Sequence, residues 1–275
     1  MGQIERMMTE PQPIRRIIRS LVRRLGLGSS KFQLDIGAIE RPNYAYLVYN
    51  AAKLAHGLGY DRVSVLEFGV AGGNGLLWLE RHANWVEKIF PVKIEIYGFD
   101  TGEGLPEPKD YRDLQYHWKT GFVRMDQAKL KARIERATLV LGNVKETSRT
   151  FVAEYNPAPI GAVSHDLDYY SSTIDALKLF DLPHEHILPR VFCYFDDVIG
   201  DDLELYNDFT GERAAIVELN RTHTDSKLSF VYYLPATAGY QGWHHQIWSL
   251  HNFQHPYYGK FVSREDQQLR LDFKD

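Results

Sequence analysis

The sequence predicts an α/β fold, with a mostly parallel β-sheet, helices on both faces and an antiparallel hairpin at one edge. From about residue 41, short β-rich runs alternate with helical segments, an alternation typical of parallel sheets. Near the C-terminus two strand-like runs, LSFVYYLP and HHQIWSL, follow each other with no room for a helix between them. Successive strands without a crossover helix pair antiparallel, so we expect a hairpin there.

The elements are predicted in a regular order. A helix is predicted over RPNYAYLVYNAAKLAHGLG, followed by the strand RVSVLEF, the helix GLLWLERHANWVEKIF and the strand IEIYGFD. Next come the helix DQAKLKARIERA, the strand TLVLGN, the helix KETSRTFVAEY and the strand GAVSHD. The last unit before the hairpin contains the helix SSTIDALKLFDLPHEHIL, the strand RVFCYFDD and the helix LELYNDFTGERAAIVELN. This order gives five strand–helix units.

The composition indicates a globular protein of one domain, with or without extensions. Apolar residues make up 44% of the 275 positions, and the net charge of −4 gives no general drive toward nucleic acid or membranes. One cysteine, Cys193, excludes an internal disulfide and is consistent with a reducing compartment. No apolar stretch approaches the ~18 residues of a membrane span, and MGQIERMMTEPQ lacks the apolar core of a secretion signal. We expect a cytoplasmic protein.

The N-terminal residues differ in charge from the rest of the chain. Residues 1–31 contain seven Lys or Arg and two Glu, a net charge of +5 that leaves −9 for the remainder. Within PIRRIIRSLVRRLGL, six apolar residues share one helical stripe opposite five arginines. Such a helix could lie on an anionic membrane, but we favour docking on its own domain or on a second subunit. We therefore separate a basic amphipathic helical extension, residues 1–40, from a main domain, residues 41–275.

The stretch VLEFGVAGGNG ends the first strand, where open parallel sheets bind ligands. It lacks both the G-x-G-x-x-G fingerprint of dinucleotide sites and the G-K-S/T of phosphate-binding loops. Its pattern E-x-G-x-x-x-G resembles motif I of S-adenosylmethionine (SAM) enzymes, and the order of strands is similar to the Rossmann-like sheet of class I methyltransferases. The resemblance implies SAM beside Glu67, Gly69, Ala71, Gly72 and Gly73. Without it, the glycines indicate only a tightly packed turn.

Two further strand ends supply candidate cofactor contacts. The second strand ends in YGFDTGEGLPEP, where the carboxylate of Asp100, followed by Thr101, suits the two hydroxyls of a ribose. The third strand ends in GNV, where Asn143 is a candidate contact to adenine. Each has a structural alternative, because Asp100 is also a candidate helix cap and Asn143 a candidate turn residue.

Three carboxylates follow two predicted strands. The fourth strand ends in SHDLDYYSST and the fifth in CYFDDVIGDD, so Asp166 should converge with Asp196 and Asp197 if these strands are neighbours. Buried like charges persist together only when a cation or protons intervene, and hard oxygen ligands fit Mg²⁺. We therefore expect a metal site there, with Asp166 also beside the cofactor. The alternative is that these residues cap the following helices, and Asp168 is a fourth ligand or a cap.

Four segments together resemble one family. VLEFGVAGGNG, GFDTGEGLPEP, DLDYYSST and FDD are similar, in this order, to motifs of the TylF/MycF (macrocin-type) sugar O-methyltransferases of natural-product pathways. The resemblance covers about residues 60–200. It implies an Mg²⁺-dependent O-methyltransferase acting on a hydroxyl of a small molecule, with Asp166, Asp196 and Asp197 as ligands. Gly102, Leu167 and Val198 depart from the family pattern.

The general base is less well indicated. Catechol-type relatives place a lysine three residues after the first metal-binding Asp, whereas this chain has Tyr169 there. Histidine titrates near neutrality, which makes His165, His244 and His245 the candidates. His244 and His245 are adjacent, so they point to opposite faces if they lie in a strand.

Two aromatic segments remain open to interpretation. The stretch PKDYRDLQYHWKTGFVRMDQ is either a lid over the site or an ordinary insertion. Trp243, Trp248, His251 and His255 line either a substrate pocket or a subunit interface, and we expect a homo-oligomer, with the N-terminal helix as one candidate contact. The alternative functions are a metal-independent or nitrogen-directed SAM methyltransferase and a non-catalytic SAM-binding subunit.

Overall fold

The computed structural model describes residues 13–237 and 241–263. The segment MGQIERMMTEPQ, considered above as a possible signal, lies outside the described residues. In the part of the chain that the structure describes, no helix is long and apolar enough to cross a membrane.

Seven strands form one mixed sheet. They are β1 (Arg62–Phe68), β2 (Lys93–Asp100), β3 (Thr138–Leu141), β4 (Ile160–His165), β5 (Ile187–Phe195), β6 (Ser226–Phe230) and β7 (Ile247–Asn252). Their spatial order is β3-β2-β1-β4-β5-β7-β6. Strands β1 to β5 run parallel, and β7 pairs antiparallel with both β5 and β6. The predicted fold class is confirmed.

Helices cover both faces of this sheet. They are α1 (Pro13–Arg24), α2 (Ser30–Asp35), α3 (Pro42–Leu58), α4 (Asn74–Val86), α5 (Gln127–Lys131), α6 (Val144–Tyr155), α7 (Tyr170–Ala176), α8 (Gly211–Thr222) and α9 (Tyr233–Ala236). Residues of α3 and α4 share one buried apolar cluster with β1 and β2. Residues of α6, α7 and α8 share a second cluster with the opposite side of the sheet. The sheet is therefore buried on both faces, as strands rich in apolar residues require.

The inner strand β5, between β4 and β7, illustrates this burial. Cys193 lies in its middle with no exposed surface, aligned with Val163 of β4 on one side and Trp248 of β7 on the other. Burial raises the pKa of its thiol well above the ordinary value. The thiol is therefore an inert part of the core in the folded protein.

The C-terminal hairpin differs from the prediction. The run LSFVYYLP divides into β6 and the short helix α9, and HHQ belongs to a 3₁₀ helix, Gly242–Gln246, that precedes β7. The prediction that no helix fits between the two strands was therefore wrong. The helical turns bring Leu234 and Trp243 against the apolar cluster that contains α3. Burial of these side chains stabilises the helical turns relative to an extended connection.

The helix predicted over LELYNDFTGERAAIVELN begins later than expected, at Gly211. Asp201 accepts hydrogen bonds through Oδ1 from the backbone N–H groups of Leu203 (2.8 Å) and Glu204 (3.1 Å). This local bonding competes with a helix, and Leu205 adopts a left-handed φ of 49°. Residues 199–210 therefore form an irregular segment beside the end of β5.

The N-terminal helix α1 is present as predicted, but its apolar stripe is not buried on its own domain. The side chains of the stripe are exposed by 44% to 71%, namely Ile14, Ile17, Ile18, Leu21 and Leu25. Its contacts to the domain come from arginines. Arg19 Nε donates to the carbonyl oxygen of Ile36 (2.8 Å), and Arg23 Nε lies 3.2 Å from Glu40 Oε1.

Candidate active site

The glycine loop after β1 is pressed against the end of β4. Gly69 has a left-handed φ of 82°, and a Cβ there would lie 1.7 Å from the carbonyl oxygen of Asp166. Gly73 is also left-handed, and a Cβ there would meet the side chain of Leu130 at 2.1 Å. Gly72 has no atom within 4 Å of such a Cβ. The loop therefore needs glycine at the first and last of these three positions for packing and backbone conformation.

Glu67 is a buried carboxylate at the end of β1. Its Oε1 accepts a hydrogen bond from the hydroxyl of Tyr44 (2.8 Å), whereas Oε2 is buried without a partner among the described residues. Gly75 makes room for this side chain, since a Cβ there would lie 1.8 Å from Oε1. Burial raises the pKa of Glu67 to about 8. A cationic group could satisfy the unpartnered oxygen.

Asp100, at the end of β2, organises the glycine loop. Its Oδ2 accepts hydrogen bonds from the N–H groups of Val70 and Ala71, both at 2.9 Å, and its Oδ1 accepts from Gly102 N–H (2.6 Å). It does not cap a helix. The carboxylate also borders the adjoining cavity, so its remaining acceptor capacity is available to a ligand.

A cavity opens at the carboxyl ends of β1, β2, β3 and β4. Its walls include Gly69, Ala71, Asp100, Thr101, Asn143, Asp166 and Asp168. Glu67, Gly72 and Gly73, which were also predicted as cofactor residues, are not among the residues that line it. Asn143 also caps α6, because its Oδ1 accepts from Lys145 N–H (2.9 Å). Most of the predicted cofactor residues therefore surround this cavity. Asn143 lines the cavity and is also the N-cap of α6.

Three carboxylates converge beside this cavity. One ligand oxygen from each of Asp166, Asp196 and Asp197 lies within 4.8 Å of the other two. Asp166 follows β4, and the other two begin a 3₁₀ helix, Asp196–Val198, that follows β5. Because β4 and β5 are parallel neighbours, their carboxyl ends meet at the same edge of the sheet.

Hydrogen bonds hold two of these acids in place. Tyr206 donates to Asp197 Oδ1 (3.0 Å), and the backbone N–H of Asp168, at a left-handed φ of 58°, donates to Asp197 Oδ2 (2.8 Å). Gln246 Nε2 donates to the carbonyl oxygen (2.8 Å) of Asp196, which also accepts a hydrogen bond from Tyr194.

Glu212 accepts hydrogen bonds from both of the loops that carry these acids, the loop after β4 and the loop after β5. It is fully buried at the start of α8, where Oε1 accepts from Leu167 N–H (3.3 Å) and Oε2 from Asp197 N–H (3.0 Å). One carboxylate therefore connects the loop after β4 with the loop after β5. Burial, and then the charge of Asp197, raise the pKa of Glu212 well above its ordinary value.

The electrostatics of the cluster fit a divalent cation. Burial followed by the charge of Asp197 raises the pKa of Asp166 well above its ordinary range. The same two causes raise the pKa of Asp168 to about 9, while burial and the charge of Asp196 raise that of Asp197 to about 7. Crowded carboxylates of this kind are stabilised in ionised form by a cation, and their oxygen atoms are the ligands that Mg²⁺ prefers.

The three histidines predicted as bases do not line the cavity. His165 is fully buried, with its ring stacked 4.4 Å from that of Phe195, and burial lowers its pKa to about 3. The structure therefore places His165 in the core, away from any substrate. His244 is buried against Trp243, and burial lowers its pKa to about 4; His245 is exposed and stacks on Phe230.

The two aromatic segments are separated by the fold. Of the stretch predicted as a lid or an insertion, residues 108–127, Val123 lines the cavity, next to Leu105 and Pro106, which precede the stretch. Tyr111 and Tyr116 of the same stretch are exposed. Trp243 lines a second groove, between α3 and the connection from β6 to β7.

The other aromatic residues predicted near the C-terminus lie elsewhere. Trp248 packs on Phe195 in the core, and His251 and His255 contact Tyr258 and the backbone of His184. They do not form one pocket with Trp243.

Several residues of the site were not found from the sequence. Four residues bond to predicted site residues from 9 to 50 positions away in the sequence, without a motif, namely Tyr44, Tyr206, Glu212 and Gln246. Glu212 lies in the first turn of α8, where an acidic residue is common for electrostatic reasons. Its sequence position therefore gave only a weak signal, and its burial became visible only in the structure.

The sheet order, the loop after β1 and the cavity beside it define the class I methyltransferase fold. Comparison with solved structures agrees. CalS11, a calicheamicin methyltransferase, is 21% identical over 90% of this chain and 89% of its own, with a TM-score of 0.53. The O-methyltransferase NovP is 15% identical over 68% and 75% (TM-score 0.49), and TomG from Streptomyces achromogenes is 16% identical over 91% and 98% (TM-score 0.42).

No protein-family model matches the chain, and no curated protein matches it. At 21% identity, the likeness to CalS11 establishes the fold alone. The resemblance to the TylF/MycF family therefore stays a prediction.

Proposed function

We propose that this chain is a SAM-dependent O-methyltransferase that uses Mg²⁺ and acts on a hydroxyl of a sugar or another diol-bearing small molecule, as in natural-product biosynthesis. The observation that carries the proposal is the convergence of Asp166, Asp196 and Asp197 beside the cavity at the glycine loop. Carboxylates this close together repel each other when ionised, and a bound cation relieves that repulsion.

The residues around the cavity are suited to SAM. The glycine loop lets backbone approach a ligand closely, and the unpartnered Oε2 of Glu67 is an acceptor for an ammonium group. Asp100 keeps the loop in one conformation and retains acceptor capacity for ribose hydroxyls. SAM supplies an electrophilic methyl group, and the task of these residues is to hold it in line with the acceptor oxygen.

The metal would be held by Asp166, Asp196 and Asp197. When bound, Mg²⁺ supplies a Lewis acid that makes a substrate hydroxyl more acidic. The protein keeps its ligands in position through Glu212 and Tyr206, and Asp168 adds a further carboxylate at the cavity wall. This arrangement positions an acceptor without requiring any of the three histidines.

One observation favours the metal-independent alternative. Asp196 and Asp197 already accept hydrogen bonds from Tyr194, Gln246 and Tyr206. In that case protons, in place of a cation, would relieve the repulsion among the acids, and methyl transfer would not depend on Mg²⁺. The acceptor could then be a nitrogen.

The test combines binding and turnover. Calorimetry with S-adenosylhomocysteine measures cofactor binding, and a methyl-transfer assay on a panel of hydroxylated acceptors is run with EDTA and after addition of Mg²⁺. We expect activity to disappear with EDTA and to return with Mg²⁺. Asp196→Asn should lower activity at least ~100-fold with almost unchanged cofactor affinity, while the exposed Asp225→Asn serves as the control. Activity that persists in EDTA would establish the alternative, and cofactor binding without turnover would indicate a non-catalytic subunit.

A further inference from the structure

Helix α1 presents two different faces. The arginines at the back of the helix, Arg19 and Arg23, bind Ile36 and Glu40 of the same chain. The apolar stripe faces away from the domain and is exposed. At 100° per residue, Arg15 and Arg24 lie roughly 90° to either side of this stripe. The outward surface of α1 is therefore an apolar strip with an arginine along each border, and the helix contains no acidic residue.

A second exposed surface has the opposite charge. We call residues 199–209 the acidic segment. It contains Asp201, Asp202, Glu204 and Asp208 and no Lys or Arg, and Asp208 also pairs with Arg213 of α8 in the same chain. Its apolar side chains are also exposed, by 46% to 75%, namely Ile199, Leu203, Leu205 and Phe209.

The acidic segment is anchored on its inner side. Tyr206 donates to Asp197 Oδ1 (3.0 Å), and Tyr116 donates to the carbonyl oxygen of Glu204 (2.6 Å). Its exposed leucines are therefore held at the surface by a fixed backbone, next to an acid of the candidate site.

We propose that α1 of one copy of the chain docks on the acidic segment of a second copy, and that the exchange is reciprocal. The apolar strip covers the exposed leucines and Phe209, and the bordering arginines meet carboxylates. Each copy thereby covers the segment beside its partner's Asp197. This inference does not depend on the proposed methyltransferase activity.

The size of the contact is adequate for a stable dimer. The five exposed apolar side chains on the helix together offer about 500 Å² of surface, and the four on the acidic segment together offer about the same. Two reciprocal contacts therefore cover about 2,000 Å², which is at the upper end of standard interfaces. A lone strip of this kind also suits an anionic lipid surface. The second copy is favoured because the chain itself carries a surface with matching apolar residues and opposite charge.

The test is a charge exchange read by sedimentation velocity of the full chain at micromolar concentration. The helix variant combines Arg15→Glu with Arg24→Glu, and the segment variant combines Asp202→Lys with Asp208→Lys. Each alone places like charges in both contacts of a dimer, and we expect its dissociation constant to rise at least ~100-fold. An equimolar mixture of the two variants has opposite charges in both contacts, and we expect it to form a mixed dimer at near wild-type affinity.

The control reverses two exposed charges elsewhere, Lys88→Glu with Lys93→Glu, and should leave the dimer unchanged. Recovery on mixing also shows that both variants are folded, which circular dichroism checks independently. Three results would overturn the proposal: a monomeric wild-type chain, a dimer that survives either variant, or two monomeric, folded variants that do not combine. Binding of the monomeric wild-type chain to vesicles with anionic lipid, but not to neutral ones, would assign α1 to a membrane instead.

Discussion

Asp197 is buried and lies among like charges, and its replacement by asparagine tests the electrostatics of the site. Asparagine has the same shape and can keep both hydrogen bonds, because its oxygen can accept from the Asp168 N–H while its amide donates to the Tyr206 hydroxyl. The substitution therefore removes the charge and leaves the packing nearly unchanged. In the absence of a divalent cation, we expect the variant to be more stable than the wild type at pH 8.

The magnitude follows from the pKa. Burial and the charge of Asp196 raise the pKa of Asp197 from 3.8 to about 7. The folded state therefore binds more protons than the unfolded state between these values, and stability falls as the pH rises through that window. The loss is about 2 kcal/mol at pH 5 and about 4 kcal/mol at pH 8, at roughly 1.4 kcal/mol per pH unit. Weaker hydrogen bonds in the variant offset about 1 kcal/mol, so its net advantage is about 1 kcal/mol at pH 5 and about 3 kcal/mol at pH 8.

Urea unfolding followed by circular dichroism measures these differences, at both pH values and in EDTA or Mg²⁺. Mg²⁺ at 100 times its dissociation constant should stabilise the wild type by about 2.7 kcal/mol and should have little effect on the variant. The exposed Asp225→Asn is the matched control and should change neither value by more than about 0.5 kcal/mol. If the Asp197 variant is less stable than the wild type at pH 8 in EDTA, or if Mg²⁺ stabilises both equally, our account of the cluster is wrong.

Two further substitutions test how the site is built. Gly69→Ala should destabilise the fold by more than about 3 kcal/mol in urea unfolding and should abolish S-adenosylhomocysteine binding, because its Cβ would lie 1.7 Å from the carbonyl oxygen of Asp166. The control is Gly72→Ala, whose Cβ meets nothing within 4 Å. It should change stability by less than about 1 kcal/mol. Glu212→Gln leaves one acceptor oxygen for two backbone N–H groups, so kcat should fall about 10- to 100-fold with unchanged cofactor affinity, and a similar loss of affinity for S-adenosylhomocysteine would contradict a role in holding the metal-binding loops.

The architecture could be predicted from the sequence because apolar periodicity reports burial directly. The parallel strands are buried on both faces and read as short apolar runs. Helix α3 begins at Pro42 and is followed by Gly59 as its C-cap, and both residues are typical of helix ends. The errors occurred where short-range hydrogen bonds or tertiary packing decided the conformation. Asp201 kept residues 199–210 out of α8, and contact with α3 made Leu234 helical.

The site was predicted in part for a related reason. Residues that follow parallel strands share one edge of the sheet, so the proximity of the acids after β4 and β5 could be predicted. The direction of individual side chains could not be predicted. His165 alternates with its neighbours along β4 and points into the core, although it directly precedes Asp166. Glu212 and Tyr206 reach the acids from irregular or distant parts of the chain, which no local spacing encodes.

The chain carries a built-in reporter of its own opening. Since Cys193 is the sole thiol and lies at the centre of β5 with no exposed surface, an alkylating reagent can reach sulfur only after the middle of the sheet separates. Labelling followed by mass spectrometry would thus time global unfolding without any engineered probe. The rate of thiol modification would also measure how much each bound ligand stabilises the folded chain, because a stabilising ligand slows the modification.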